Sequence, residues 1–291
     1  MQVVIHAGAH FTDEDRLVTT LEADAGSLAE HGVCVPEPRL YRKLMRDLFQ
    51  AAVDSRLAPG TRDIVLDALD VEHTAHRLIL SNHSFFGTPK MAVGRGLFYP
   101  GSELRLATLQ EIFDQDELTL ALALRNPATY LPALFARTPH DSMEAFLNEF
   151  DPWEFRWSET IARLHAAFPD MPILLWCNED TPLVWARVLR AVTGLTDRDP
   201  VPGEFDLLEG IMTDTGFHRL RSYLSTHDDL TEPQRQRVKL AFLDKFVQIE
   251  EIEEELDLPG WDDDIVDELS EAYDQDVEAL SQMPGITMIS P

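Results

Sequence analysis

Short apolar runs alternate along the chain with longer stretches in which apolar residues recur at helical spacing. The runs at residues 2–6, 32–35, 77–81, 118–124, 172–177 and 285–289 are bounded by turn-forming residues and predict strands. Between them the pattern predicts helices over 15–31, 40–53, 129–136, 141–149, 154–168 and 182–193. Strands alternating with helices imply βαβ units. The expected fold class is therefore α/β, a mainly parallel sheet flanked by helices, with ligands at the carboxyl ends of the strands. Four segments occupy those ends: HAGAH (6–10), SNHSFFG (81–87), ALRNP (123–127) and WCNED (176–180).

Pro, Gly and Asp interrupt the alternation at TDRDPVPGEFD, residues 196–206. That boundary separates an α/β core, 1–195, from a helical section, 207–291. In the latter, Thr231 followed by Pro233 reads as a helix start, residues 239–256 (KLAFLDKFVQIEEIEEEL) as an amphipathic helix, and 261–283 as a further helix with Asp-rich capping. The closing PGITMISP reads as a short strand that ties this section back to the sheet. No internal repeat stands out.

Charge changes the picture of partners. The 291 residues carry 52 Asp+Glu against 24 Lys+Arg, a net charge of −28, which argues against nucleic acid or an anionic membrane as partner. Residues 201–291 alone hold 23 acids and 6 basic residues. This face reads as solvated, with a basic protein as the alternative partner. No run is apolar enough to span a membrane, and the start lacks the pattern of a signal peptide. Cys34 and Cys177 sit in strand-like runs and read as buried thiols of a reducing compartment, so a cytoplasmic location is expected.

The candidate chemistry begins in the first βα turn. A strand, a Gly-containing turn and a helix start make an anion site, because orphan N–H groups and the helix dipole face whatever lies ahead. Here Asp13, Glu14 and Asp15 occupy that position. Thr12 followed by Asp15 fits a capping box, which would satisfy the helix start from within the chain. Arg125, between an apolar strand and Asn126-Pro127, is placed to hold an anion through its planar fork, or to pair with the acids of 13–15. His10, His83 and His6 converge at strand ends with Asp13 and Asp15, but their spacing matches no metal motif, and no metal site is expected. His83 is placed to act as general base, although Asn82 and Ser84 equally suggest a turn. Gly94-Arg95-Gly96 reads as a surface turn, Asp180 or Thr181 as a helix cap, and His73 and His76 as a helix face.

HAGAHFT, ALRNPATYLPALFA and WCNEDTPLVWARVL, in this order, resemble the bacterial sulfotransferase-like proteins of the P-loop superfamily; the likeness covers most of residues 1–195 and touches the ending AYDQDVEALSQMPGITMI. The resemblance implies a site for the donor 3′-phosphoadenosine 5′-phosphosulfate (PAPS) or its product adenosine 3′,5′-bisphosphate. Gly8, Ala9, His10 and Thr12 would lie at the 5′ end and Arg125 at the 3′-phosphate, with His83 and His10 as the catalytic candidates. Against the family pattern, Phe11 replaces the lysine, Asp13 the glycine, Glu14 and Asp15 two threonines, and Ala133 the serine of the second motif. Without that lysine no cation stabilises charge on the bridging oxygen. The expected function is that of a sulfotransferase-like protein with a degenerate donor site, acting by binding a ligand or a partner. An active sulfotransferase with a rearranged site, drawing its cation from Lys90 or Arg95, is the second reading. A metal-assisted hydrolase is the third.

Overall fold

The computed structural model describes residues 1–148, 150–196, 199–252 and 258–291. Glu149 of the expected helix 141–149, Asp197 and Arg198 of the boundary, and residues 253–257 of the acidic run lie outside the described residues. Among the described residues six strands form one sheet: β1 (Gln2–His6), β2 (Val33–Cys34), β3 (Arg77–Ser81), β6 (Glu117–Leu124), β7 (Ile173–Cys177) and β8 (Ile286–Met288). Their order is β2-β3-β1-β6-β7-β8, and every pairing is parallel. Each corresponds to a run read from the sequence. The remaining pair, β4 (Val93–Gly94) and β5 (Leu97–Phe98), is a separate antiparallel hairpin turning at Arg95 and Gly96. Both turn residues have positive φ, as a two-residue hairpin turn requires.

Alternation along the central strands divides the core into two layers. Val3 and Ile5 of β1 join Leu120, Leu122 and Leu124 of β6 on one face, over Tyr41, Met45 and Trp157. Val4, Ala121 and Ala123 face the other way, against Leu17, Leu21, Trp185 and Val188. Helices cover both faces, which is why these strands read as continuous apolar runs.

β1 leads to one side of the sheet and β6 to the other, so the chain's connections diverge at the neighbouring carboxyl ends of these strands. Such switch points open a crevice. The loops after β1, β3 and β6 meet there.

Several helices differ from expectation. The stretch 15–31 forms two helices, Arg16–Ala23 and Ala25–Glu30, joined at Asp24, where the backbone leaves helical geometry. Aspartate competes with the helix for backbone hydrogen bonds, and Gly26 stiffens nothing. Helices Thr61–Ala68, Ser102–Ile112, Asp206–Ile211 and Asp214–Thr226 carry a weaker pattern. In the second of these, Leu106 and Leu109 are buried while Leu104 is 58% exposed, so apolar residues on both sides blur the periodicity. His73 and His76 lie in a turn, not a helix. The sheet captures that backbone, with Gln2 N donating to His76 O and His76 N to Gly32 O, both at 2.9 Å.

The C-terminal section has two parts. Helices Asp206–Ile211, Asp214–Thr226 and Glu232–Phe246 enclose a small core of Leu208, Met212, Phe217, Leu220 and Leu224. Helix Asp263–Ser281 instead lays Leu269, Tyr273 and Leu280 into the main core, and β8 pairs with β7. Thr231, read as a helix start, precedes helix Glu232–Phe246 and forms a capping box with Gln234. Among the described residues no helix is long and apolar enough to cross a membrane.

Candidate functional site

The turn expected after β1 is largely a continuation of the strand. Ala7 N donates to Ala121 O at 3.0 Å, Ala9 N to Ala123 O at 3.1 Å, and Ala123 N to Gly8 O at 2.7 Å. Gly8 has φ +98°, and a Cβ there would lie 3.2 Å from both His10 N and His83 Cα. Glycine is required by conformation and by the approach of the β3 loop.

His10 is buried in a closed polar network. Its Nε2 lies 3.1 Å from Gly87 O, its Nδ1 2.7 Å from the Tyr99 hydroxyl, and its backbone N donates to that hydroxyl at 3.0 Å. A carbonyl only accepts, so Nε2 carries the proton and Nδ1 takes the Tyr99 proton; Tyr130 then donates to Tyr99 across 2.7 Å. Burial pushes His10 down to about 4 and raises both phenols, so every member stays neutral. Both ring nitrogens are occupied. His10 positions the loop and offers no lone pair as a base.

The acids of the loop have separate partners. Asp15 receives two hydrogen bonds from Arg42, at 2.7 and 2.5 Å, and lies 3.7 Å from His83 Nδ1. Hydrogen bonds from Arg42 are the main reason its carboxyl is held below the usual range. Asp13 Oδ2 accepts from Leu17 N at 3.2 Å and approaches His6 Nδ1 at 3.9 Å. Glu14 is exposed. The capping box expected from Thr12 and Asp15 does not form. Thr12 Oγ1 donates back to Ala9 O at 2.7 Å, and the helix start is capped from Asp13 because Arg42 holds the Asp15 carboxylate.

Arg125 leaves the end of β6 only 6% exposed. It donates to Phe11 O at 2.7 Å and to Thr129 Oγ1 at 3.1 Å, while its own carbonyl accepts from Trp157 Nε1 at 2.9 Å. Its described contacts bind the first loop to the β6 loop, and Asp15 pairs with Arg42 instead. Ala133, at the family's serine position, lies on helix Pro127–Phe135 and supplies no hydroxyl.

A cavity of about 420 Å³ remains at the crevice, lined chiefly by Phe11, Asp13, Glu14, Asp15, His83 and Arg137. His83 and Asp15 face it as a pair. Arg137, an exposed residue on the turn after helix Pro127–Phe135, is its cation; Lys90 and Arg95 do not line it. Among the described residues no three His, Cys, Asp or Glu side chains form a group able to hold a metal ion.

Two residues at the site, Arg42 and Arg137, escaped the sequence reading. Arg42 lies on helix Pro38–Asp54, whose start carries Arg39, Arg42, Lys43 and Arg46, a local basic signal in an acidic chain. Glu179 accepts from Asn126 N at 2.8 Å and from the Tyr273 hydroxyl at 3.2 Å, linking the β6 loop to helix Asp263–Ser281; burial raises its pKa. Asp180 stands at the expected cap position without a side-chain bond. Cys34 and Cys177 are half-buried and free, and burial pushes the Cys177 thiol up to about 11.

Comparisons of the chain with protein-family models, curated proteins and solved structures give no match. The functional reading therefore rests on the motifs and the geometry of this crevice.

Proposed function

We propose that this is a non-catalytic, sulfotransferase-like binding protein whose crevice takes a basic group, such as an Arg or Lys side chain of a protein partner. The carrying observation is that Asp13, Glu14 and Asp15 line the crevice where a phosphate-binding loop would present N–H donors. A carboxylate about 5 Å from a phosphate, at an effective dielectric of about 20, costs roughly 3 kcal/mol before screening. Ala9 N and His10 N, two of the donors a phosphate would need, already bond to Ala123 O and Tyr99. With Asp15 held by Arg42, Asp13 and Glu14 supply most of the negative charge at the cavity. Calorimetry at low salt with a hexa-arginine peptide tests this reading. One-to-one binding should weaken at least fivefold in the double variant Asp13→Asn, Glu14→Gln. Equal binding by the double variant would assign the peptide to the acidic surface at large and overturn the reading.

One observation favours a second reading, an active sulfotransferase using PAPS. Arg137 reaches the cavity with no ion-pair partner among the described residues, and His83 stands beside Asp15 as a base toward an acceptor hydroxyl. Micromolar binding of adenosine 3′,5′-bisphosphate, lost in Arg137→Ala, would promote this reading over the first. No binding at millimolar concentration would end it.

A further inference from the structure

A second cavity of about 420 Å³ lies far along the chain from the first loop, between the end of helix Thr181–Thr193, the turn at 200–205 and the start of helix Glu232–Phe246. Arg190, Arg235 and Lys239 converge on it. Three cations in one cavity are notable in a chain with 24 basic residues and 52 acids. None of the three makes a salt bridge or side-chain hydrogen bond among the described residues.

Lys239 is the decisive group. The residue is 4% exposed, and among the described residues its amine makes no hydrogen bond or ion pair; the Phe205 ring lies 5.8 Å away, with Glu232 and Glu204 beyond ion-pair distance. Burial lowers its pKa, as expected for an ammonium taken from water without a counter-charge in contact. Arg190 Nε is buried and makes no hydrogen bond among the described residues. Buried donors are ordinarily satisfied, and an unbonded buried Arg190 Nε in the same cavity as a Lys239 ammonium without an ion pair points to a missing acceptor.

Glu204, Glu232 and Asp228 also line the cavity, with Asp228 exposed and the other two half-exposed. Lys239 is thus the most buried charged group of the lining and Asp228 the most exposed. Trp185 Nε1 fixes the turn by donating to Gly203 O at 3.1 Å, so the wall is built into the fold.

We infer that this cavity is a binding site for the oxyanion of a small molecule, a carboxylate or a phosphate, held by Lys239, Arg190 and Arg235. The three acids of the lining limit the ligand's negative charge, so a single oxyanion is favoured over a polyanion. This site is separate from the crevice at β1.

Calorimetric titration of the full chain at low ionic strength with inorganic phosphate, and separately with acetate, tests the inference. Saturable one-to-one binding of at least one probe is expected, and the stronger of the two identifies the ligand chemistry. Lys239→Met should weaken it at least tenfold, and Asp13→Asn should leave it unchanged. Should Lys239→Met fail to fold, Arg235→Gln, on a half-exposed residue, should weaken binding at least threefold. Absence of saturation with both probes at 20 mM, or binding unaltered in the cavity variants, would overturn the inference.

Discussion

Arg42 grips Asp15 with both terminal nitrogens, at 2.7 and 2.5 Å, and its second nitrogen also donates to Ser81 O at 3.1 Å. One guanidinium thus fastens the loop after β1 to the end of β3. Its removal has two consequences that can be separated. Arg42→Met should lower stability by about 1 to 2 kcal/mol, the value for a bidentate pair discounted for its partial exposure, read from the urea midpoint. The same variant frees the Asp15 charge, so hexa-arginine should bind about three- to tenfold more tightly. Weaker peptide binding in Arg42→Met would contradict the basic-group reading of the crevice.

The pH dependence of that pair has a definite sign. The folded Asp15 pKa lies below its unfolded value, so the pair's contribution is present above about pH 4 and is lost as pH falls through the lower folded pKa. The stability gap between wild type and Arg42→Met should be constant from pH 7 to pH 5 and narrow below pH 4. Paired urea denaturations at these pH values check it.

His10 acts in a different window. With its folded pKa at about 4, the unfolded chain takes up a proton below pH 6.5 that the folded chain refuses. The His10 share of stability should be lost as pH drops from 6.5, this loss levelling off near pH 4 at roughly 3 kcal/mol. His6, lowered mainly by burial, adds in the same direction. In His10→Phe the slope should shrink, with the His6 share remaining. That variant should also lose about 2 kcal/mol at pH 7, because Gly87 O and Tyr99 lose their partner.

What was legible in the sequence follows from the range of the interactions. The six sheet strands were readable because apolar runs buried on both faces are local signals, and Gly8, His10, Phe11 and Arg125 were correctly placed at their carboxyl ends. Partners were not readable. Arg42 and Asp15 are 27 residues apart, and they meet only because β3 lies beside β1 and β2 beside β3. The direction of the Arg125 guanidinium, toward Phe11 O, also depends on how the first loop continues along β6. The acid cluster was visible as composition, whereas its division into a cap, an ion pair and an exposed charge is tertiary.

Gly8 offers a test of the loop itself. Gly8→Ala imposes a side chain at φ +98° and within 3.2 Å of His83 Cα. Strain and the tight contact together should cost about 2 to 4 kcal/mol. Because the contact is with the β3 loop, the variant should also displace His83. A shifted His83 imidazole resonance in NMR would register that displacement, and unchanged stability would refute the geometry of the loop.

Asp276 shows that the acidic C-terminal section is not all solvated surface. It lies on helix Asp263–Ser281, is 5% exposed, and accepts from Trp157 N at 2.7 Å and Ser158 N at 3.2 Å. The Ser158 hydroxyl donates to it as well. It therefore caps helix Trp157–Ala167 from 119 residues away, doing for that helix start what a local Ser or Asp ordinarily does. Trp157 in turn stacks on Phe98 at 4.5 Å and donates to Arg125 O, so the cap supports the wall behind the crevice. Asp276→Ala leaves the buried Trp157 N–H and the half-buried Ser158 N–H unpaired and should cost about 2 to 4 kcal/mol in urea denaturation, while Asp276→Asn, which keeps an acceptor, should cost about half as much. Substituting the exposed Asp263 or Asp267 to Asn should change stability by less than about 0.5 kcal/mol. Equal effects at buried and exposed positions would mean that net charge, and not this long-range cap, governs the section's contribution.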